Sequence, residues 1–171
     1  MEMILVSACL LGEAVRYNGG DKRCDDPILQ GWVREGRVVS VCPEVLGGLP
    51  VPRAPAEISE GAGGMEVLKG AARVIVPSGG DVTAQFRQGA EQALQLAHSR
   101  RIRMAVLKEG SPSCGTGYTY DGSFSGTRVA LPGVTAARLQ EAGVRVFSEA
   151  QLEKAEEWLR RLERRKRDEP R

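Results

Sequence analysis

Four short runs of mostly branched aliphatic residues recur along the chain: "MILVSA" at 3–8, "RVVSV" at 37–41, "MAVLK" at 104–108 and "VRVF" at 144–147. Nearly continuous apolar runs of this length fit strands covered on both faces, as in a parallel sheet. Helical patterns occupy the intervals. Residues 26–35 open with Asp26 as a cap and Pro27 at the first helical position. In "GGDVTAQFRQGAEQALQLAHSRRI" Phe86, Ala90, Ala93 and Ala97 form one stripe, Asp81 or Thr83 can cap, and basic residues fill the last turn. "TAARLQEAG" (135–143) closes on Gly143, and a last helix starts at Ser148. Between about 43 and 82 the chain is loop-rich, and "MEVLKGAARVIVP" alternates like a hairpin. This alternation of strand and helix predicts an α/β fold. We expect one three-layer α/β domain with a mainly parallel, Rossmann-like sheet and a loop/hairpin insertion. Residues 1–152 carry that domain, and residues 153–171 form a basic helix end and tail.

Composition narrows the class without changing that picture. The 171 residues are 42% hydrophobic and 27% charged, which fits a globular protein with its own core. No apolar stretch approaches the roughly 20 residues of a membrane helix, so no membrane partner is expected. The opening "MEMILVSACLL" carries an acid in place of a positive leader region, reads as a strand, and places the protein in the cytoplasm. Thiols stay reduced there, so the four cysteines are expected to be ligands, catalysts or core residues and not disulfides. The net charge of +2 comes entirely from residues 153–171, where eight Lys/Arg face six Asp/Glu. "RRLERRKR" could touch RNA, but no aromatic residue is interleaved there for base stacking, and a solvated helix end is the simpler expectation.

Three of the four cysteines stand just beyond predicted strands: Cys9, Cys42 and Cys114. Open α/β sheets gather their ligands at the C-terminal strand edge, so residues remote in sequence can meet there. Each is followed by turn-forming residues, in "CLLG", "CPEVLGG" and "CGTG". Three thiolates without a nearby histidine indicate a soft metal site with an open coordination position. Zinc with three thiolates and water satisfies the spacing as well as an iron–sulfur cluster does, and buried core thiols are the structural alternative. Cys24, in the charged "DKRCDD", is expected to be exposed or incidental. The single histidine, His98, lies late in a helix and receives no catalytic role.

The blocks "CLLGEAVRYNGG", "CPEVLGGLPVPRAPAEI", "GGDVT", "LKEGSPSCG", "YDGSF" and "GVRVFSE" occur in that order. Over residues 3–150 the set resembles the DUF523 family, which includes the thiouracil desulfidases. The resemblance implies that residues 1–152 are an iron–sulfur catalytic domain with a [4Fe–4S] cluster held by three cysteines. The matching positions are Cys9, Cys42 and Cys114, and the fourth iron stays free to take sulfur from a thiolated pyrimidine. The implied reaction is a non-redox hydrolysis of 2- or 4-thiouracil, or of 4-thiouridine nucleotides, to the oxo-pyrimidine and sulfide. It also implies catalytic roles for Glu44 of the Cys-Pro-Glu motif and Ser111 of the Ser-Pro-Ser-Cys motif. One departure touches substrate contacts: Arg16-Tyr17-Asn18-Gly19 stands where the family pattern expects "RYDG".

The residues themselves add further candidates. Arg16 and Arg53 lie in loops at the same edge and can hold a ring oxygen or a phosphate, although Arg53 can equally pair with Glu57. Ser113 is the substitute for Ser111 in contacting substrate. Tyr120, Asp121 and Phe124 are candidate pocket walls. The alternative functions are a non-catalytic iron–sulfur or zinc protein for redox or sensing, and a persulfide carrier on Cys114.

Overall fold

The computed structural model describes residues 1–169. The elements in chain order are β1 (Ile4–Ser7), α1 (Pro27–Arg34), β2 (Val38–Val41), α2 (Pro43–Leu46), β3 (Glu57–Ile58), α3 (Gly64–Leu68) and β4 (Val74–Ile75). They continue with α4 (Thr83–Ser99), β5 (Met104–Leu107), β6 (Thr119–Tyr120), β7 (Arg128–Val129), α5 (Val134–Glu141), β8 (Arg145–Ser148) and α6 (Leu152–Asp168). The four aliphatic runs become one parallel sheet of order β2-β1-β5-β8, with Ile4 opposite both Val38 and Met104, and Met104 opposite Arg145.

Successive strand residues point to opposite faces, and the core divides accordingly. Leu5, Ala105, Leu107 and Val146 pack against α4 and α5 through Ala93, Leu94, Ala97, Ala136 and Leu139. Ile4, Val6, Met104, Val106 and Phe147 pack against α1 and α6 through Leu29, Trp32, Leu152, Ala155 and Leu159. The result is the three-layer α/β architecture expected from the sequence. Caps fall largely where the sequence places them. Asp26 accepts from Ile28 N at 2.8 Å, Ser148 accepts from Ala150 N, and Asp81 accepts from Thr83 N at 2.9 Å. Thr83 itself is spent elsewhere, taking Val74 N.

The insertion differs in detail. "MEVLK" is not a hairpin arm: Glu66 accepts from Gly63 N at 3.0 Å and starts the short helix α3. The antiparallel pair is instead β3 with β4, and Ile58, Val67 and Val74 bury themselves against Phe86 and Ala90 of α4. The alternating pattern misleads because one short helical turn and one short strand bury nearly the same residues as a hairpin does.

Two features position the strand-end loops. The β1–β2 crossover runs through α1 on one face, and the chain returns to β5 through α4 on the other, so the end of β1 is the topological switch point. The turn after β2 is seated directly on α4 through facing glycines. A Cβ at Gly89 would lie 2.0 Å from Pro43 O, and one at Gly47 2.0 Å from Gln85 O.

Far from that edge, α6 buries Leu159 and Leu162, and several of its cations meet acids. Arg160 pairs with Glu156, Arg161 with Glu157 and Lys166 with Glu2. Pro170 and Arg171, the end of the expected tail, lie outside the described residues. Among the described residues no helix is long and apolar enough to cross a membrane.

Candidate active site

A cavity of about 440 Å³ opens over the C-terminal ends of β2, β1 and β5, and Cys9, Cys42 and Cys114 all line it. Each arrives on its own device. Cys9 sits in the 3₁₀ turn Ala8–Leu11 that continues β1. Cys42 immediately precedes α2, and Cys114 belongs to the turn between β5 and β6. All three are free thiols. Burial pushes the Cys9 thiol up to about 11 and raises Cys42, while Cys114, the deepest, is raised furthest; ionised Cys9, Cys42 and Glu44 would each oppose its ionisation. Sulfurs that feel one another in this way share one site. In the cluster-free protein they stand as neutral thiols, and binding a metal centre would release their protons.

Which inorganic centre suits this donor set follows from its arrangement. A single tetrahedral ion binds thiolates at about 2.3 Å, which crowds the sulfurs to within about 4 Å of one another. Among the described residues no group of three or more His, Cys, Asp or Glu side chains closes on one ion in that way. A polynuclear cluster spreads its ligands over separate irons and suits three soft donors lining a larger space. His98 lies at the opposite edge of the sheet and cannot contribute. Cys24 is half-buried against the α1–α6 layer, its N–H donating to Leu10 O at 2.9 Å, and does not line the cavity.

Glu44 enters the same space from the first turn of α2, directed by Pro43 at the first helical position. Its side chain is 18% exposed and accepts from Arg53 Nε at 3.2 Å. Burial raises Glu44 above the usual carboxylate range, against the pull of Arg53 and of the Ser111 hydroxyl that donates to it. Ser111 has two duties, since its Oγ also accepts from Ser113 N and Cys114 N, both at 3.1 Å. One hydroxyl therefore couples the acid to the Cys114 turn. Ser7, buried at the end of β1, accepts from Lys108 N at 2.9 Å and gives its proton to the Cys114 sulfur.

The remaining candidates separate. Arg16 lines the cavity, its guanidinium carbon 5.6 Å from the Tyr17 ring centroid. Arg53 also lines it, but its guanidinium is engaged by Glu44, Val15 O at 2.9 Å and Pro50 O at 3.1 Å. Its carboxylate partner is Glu44 and not Glu57, which instead accepts from Gly122 N and Phe124 N. Ser113 does not line the cavity: it is buried, and its hydroxyl pairs with Thr135 at 2.8 Å. Prolines and helix ends dictate this, because Thr135 N and Ala136 N at the start of α5 hold Ser113 O. Tyr120 is a wall, while Asp121 and Phe124 are not; Asp121 accepts from Ser123 N instead. Sequence reasoning missed Tyr118, Lys108 and Glu109, all cavity residues. Lys108 and Glu109 stand inside the quoted "LKEGSPSCG", where charged neighbours of a cysteine were the available signal.

The comparisons with known proteins agree with this geometry. The family model described as 2-thiouracil desulfurase matches residues 4–151. The Bacillus subtilis (strain 168) protein YbbK is 46% identical over 150 residues, covering 88% of this chain and 97% of that protein. A solved structure described as the [4Fe-4S]-dependent thiouracil desulfidase TudS is similar with a TM-score of 0.84 and 48% identity, covering 93% of this chain and 98% of that one.

Proposed function

The chain belongs to the 2-thiouracil desulfurase family, and from that premise we propose that its strand-end cavity hydrolyses thiolated pyrimidines, with Cys9, Cys42 and Cys114 holding a [4Fe–4S] cluster. The observation that carries this reading is the convergence of three strand-end thiols with a hydrogen-bonded Glu44–Ser111 pair in one cavity. At about 440 Å³ the space falls within the range of small-molecule sites and suits a nucleobase or nucleotide.

In the reaction, water supplies an oxygen to the ring carbon as its bond to sulfur breaks. The oxo-pyrimidine and hydrogen sulfide result, and no oxidation state changes. When bound through three thiolates, the cluster supplies a Lewis-acidic iron with affinity for soft sulfur. Glu44 is the group that takes the water's proton, since burial brings it towards the range useful for proton transfer. Ser111 holds the Glu44 carboxylate in place through its hydrogen bond. Arg53 orients Glu44 from the other side, leaving Arg16 as the cavity guanidinium for a ring oxygen or a phosphate. Tyr118 and Tyr120, with ring centroids 6.1 Å apart at right angles, wall the pyrimidine.

Anaerobic reconstitution with iron and sulfide, followed by sulfide release from 4-thiouracil and 4-thiouridine monophosphate, tests the reading. Wild type is expected to carry four irons per chain and to release sulfide, and Glu44→Gln to keep the cluster while losing about 10²–10⁴ of turnover. A loaded cluster without sulfide release from any thiopyrimidine identifies a redox or sensor protein instead. Activity in metal-free protein identifies a persulfide carrier.

A further inference from the structure

Glu109 takes no part in the chemistry above, yet its carboxylate organises the turn that carries two of the proposed site residues. Oε1 accepts from Thr116 N at 2.7 Å, Gly117 N at 2.9 Å, Gly110 N at 3.3 Å and Tyr118 N at 3.4 Å, and Oε2 takes a second bond from Gly117 at 3.1 Å. Successive amides that point inward make an anion-binding concavity, and here the protein's own carboxylate fills it. Between β5 and β6 the chain has no helix or strand to satisfy these amides. Without Glu109 they would have to find water or refold.

The turn is wound tightly enough that its parts cannot shift separately. Gly115 N donates to Ser111 O at 2.8 Å, and a Cβ at Gly115 would lie 2.4 Å from Tyr118 O and 2.7 Å from Ser111 O. Ser111, Cys114 and Tyr118 are therefore placed by one another. Glu109 is in turn held from outside the turn. Its own N–H donates to Glu149 Oε2 at 2.9 Å, and Lys108 Nζ donates to Glu149 Oε1 at 3.0 Å and to Glu109 O at 2.8 Å. Glu149, just past β8, thus clamps the base of the turn, and Glu109 fixes its tip. This accounts for the acid that ends the "GVRVFSE" block.

We propose that Glu109, clamped by Glu149, is the positioning residue that fixes the Cys114 thiolate, Ser111 and Tyr118 in their working arrangement. The proposal rests on the desulfidase reading, so its test includes cluster-free protein. Full-length Glu109→Ala and Glu109→Gln variants are compared with wild type by amide hydrogen exchange without cluster. In Glu109→Ala the amides of Thr116, Gly117 and Tyr118 are expected to exchange about 10²-fold faster, with those of β1 and β5 unchanged. Glu109→Gln should fall between, because its amide oxygen still accepts while its NH₂ faces Gly117, and it decides the matter if the alanine variant does not fold.

After anaerobic reconstitution, chelator-driven loss of cluster absorbance is expected about tenfold faster in the alanine variant. Turnover should fall about tenfold while KM for 4-thiouracil changes about twofold at most. Protected amides overturn the proposal. So does faster exchange with cluster release and turnover both unchanged, which makes Glu109 a local structural bond only. If wild type forms no cluster, the desulfidase reading falls, while the exchange of the three amides still decides what Glu109 does to the turn.

Discussion

Replacing Arg53 separates an orienting role from a substrate-binding one, and the structure gives the size of the effect. The Arg53 side chain is only 6% exposed and makes three hydrogen bonds, to Glu44, Val15 O and Pro50 O. In Arg53→Met the apolar stem is retained and the guanidinium lost. Glu44 then keeps Ser111 as its protein partner while remaining largely buried. Removing one partner of a buried ion pair costs about 3–5 kcal/mol. The 18% of Glu44 still open to water brings the carboxylate's share to the lower end, and an orphaned Val15 carbonyl adds about 1 kcal/mol. A total of about 3–4 kcal/mol is a large part of a domain's usual 5–15 kcal/mol, but leaves the variant folded.

Urea unfolding of cluster-free protein under reducing conditions reads this directly. With a slope near 2 kcal/mol per molar, the midpoint should fall by about 1.5–2 M. Adding Glu44→Gln to Arg53→Met removes the stranded charge and should restore about 1–2 kcal/mol, so the double-mutant cycle is not additive. In turnover, Arg53→Met should lower kcat by about 10²-fold through a misdirected Glu44 and leave KM nearly unchanged. A loss below about 1 kcal/mol, an additive cycle, or a raised KM with intact kcat each refutes the orientation argument. The last of these outcomes returns Arg53 to the substrate.

Three further outcomes are expected. Gly89→Ala forces α2 away from α4, since the new Cβ would lie 2.0 Å from Pro43 O; a loss of about 3 kcal/mol or more by urea unfolding, with weakened cluster retention, checks that this seat positions Cys42 and Glu44. Thr135→Val leaves the buried Ser113 hydroxyl without its partner, which should cost about 1–3 kcal/mol while KM for 4-thiouracil holds, because Ser113 faces the core. Glu2 is 5% exposed; burial pushes it up, but hydrogen bonds and charges from Arg103 and Lys166 hold it below its ordinary 4.5. Its stabilisation is therefore present above that value and lost as pH falls through the lower folded one, so between pH 5 and about 3 the wild-type urea midpoint should drop more steeply than that of Glu2→Gln.

The sheet and the three thiols were legible in the sequence because both follow from short-range signals. Strands buried on two faces read as continuous aliphatic runs, and the cysteines stand immediately past those runs, where an α/β topology must bring them together. The helix caps were legible for the same reason, as Asp26 and Ser148 act on amides two residues away. What stayed hidden depends on direction and not on position. Ser111 and Ser113 are two residues apart in one motif, yet one hydroxyl meets Glu44 and the other turns into the core toward Thr135. The pairing of Arg53 with Glu44, ahead of the equally spaced Glu57, required knowing that Glu57 is occupied by the amides of Gly122 and Phe124. The short α3 helix passed for a strand arm because both forms bury Val67.

These directional details decide the chemistry. Three cysteines at strand ends would serve an electron carrier as well as a hydrolase. The difference lies in what shares the cavity with them. A carrier gains nothing from a carboxylate raised by burial, steadied by a buried guanidinium on one side and by the hydroxyl of the ligand turn on the other. A hydrolase needs that arrangement, because a base must be held within reach of water while its charge is kept from pairing too strongly to accept a proton. Arg53 shares its donors with the Val15 and Pro50 carbonyls and contacts Glu44 through Nε alone, so the pair is single-pronged where a two-pronged Arg–carboxylate contact would hold the acid firmly ionised. The same carboxylate therefore stays oriented and still able to take a proton.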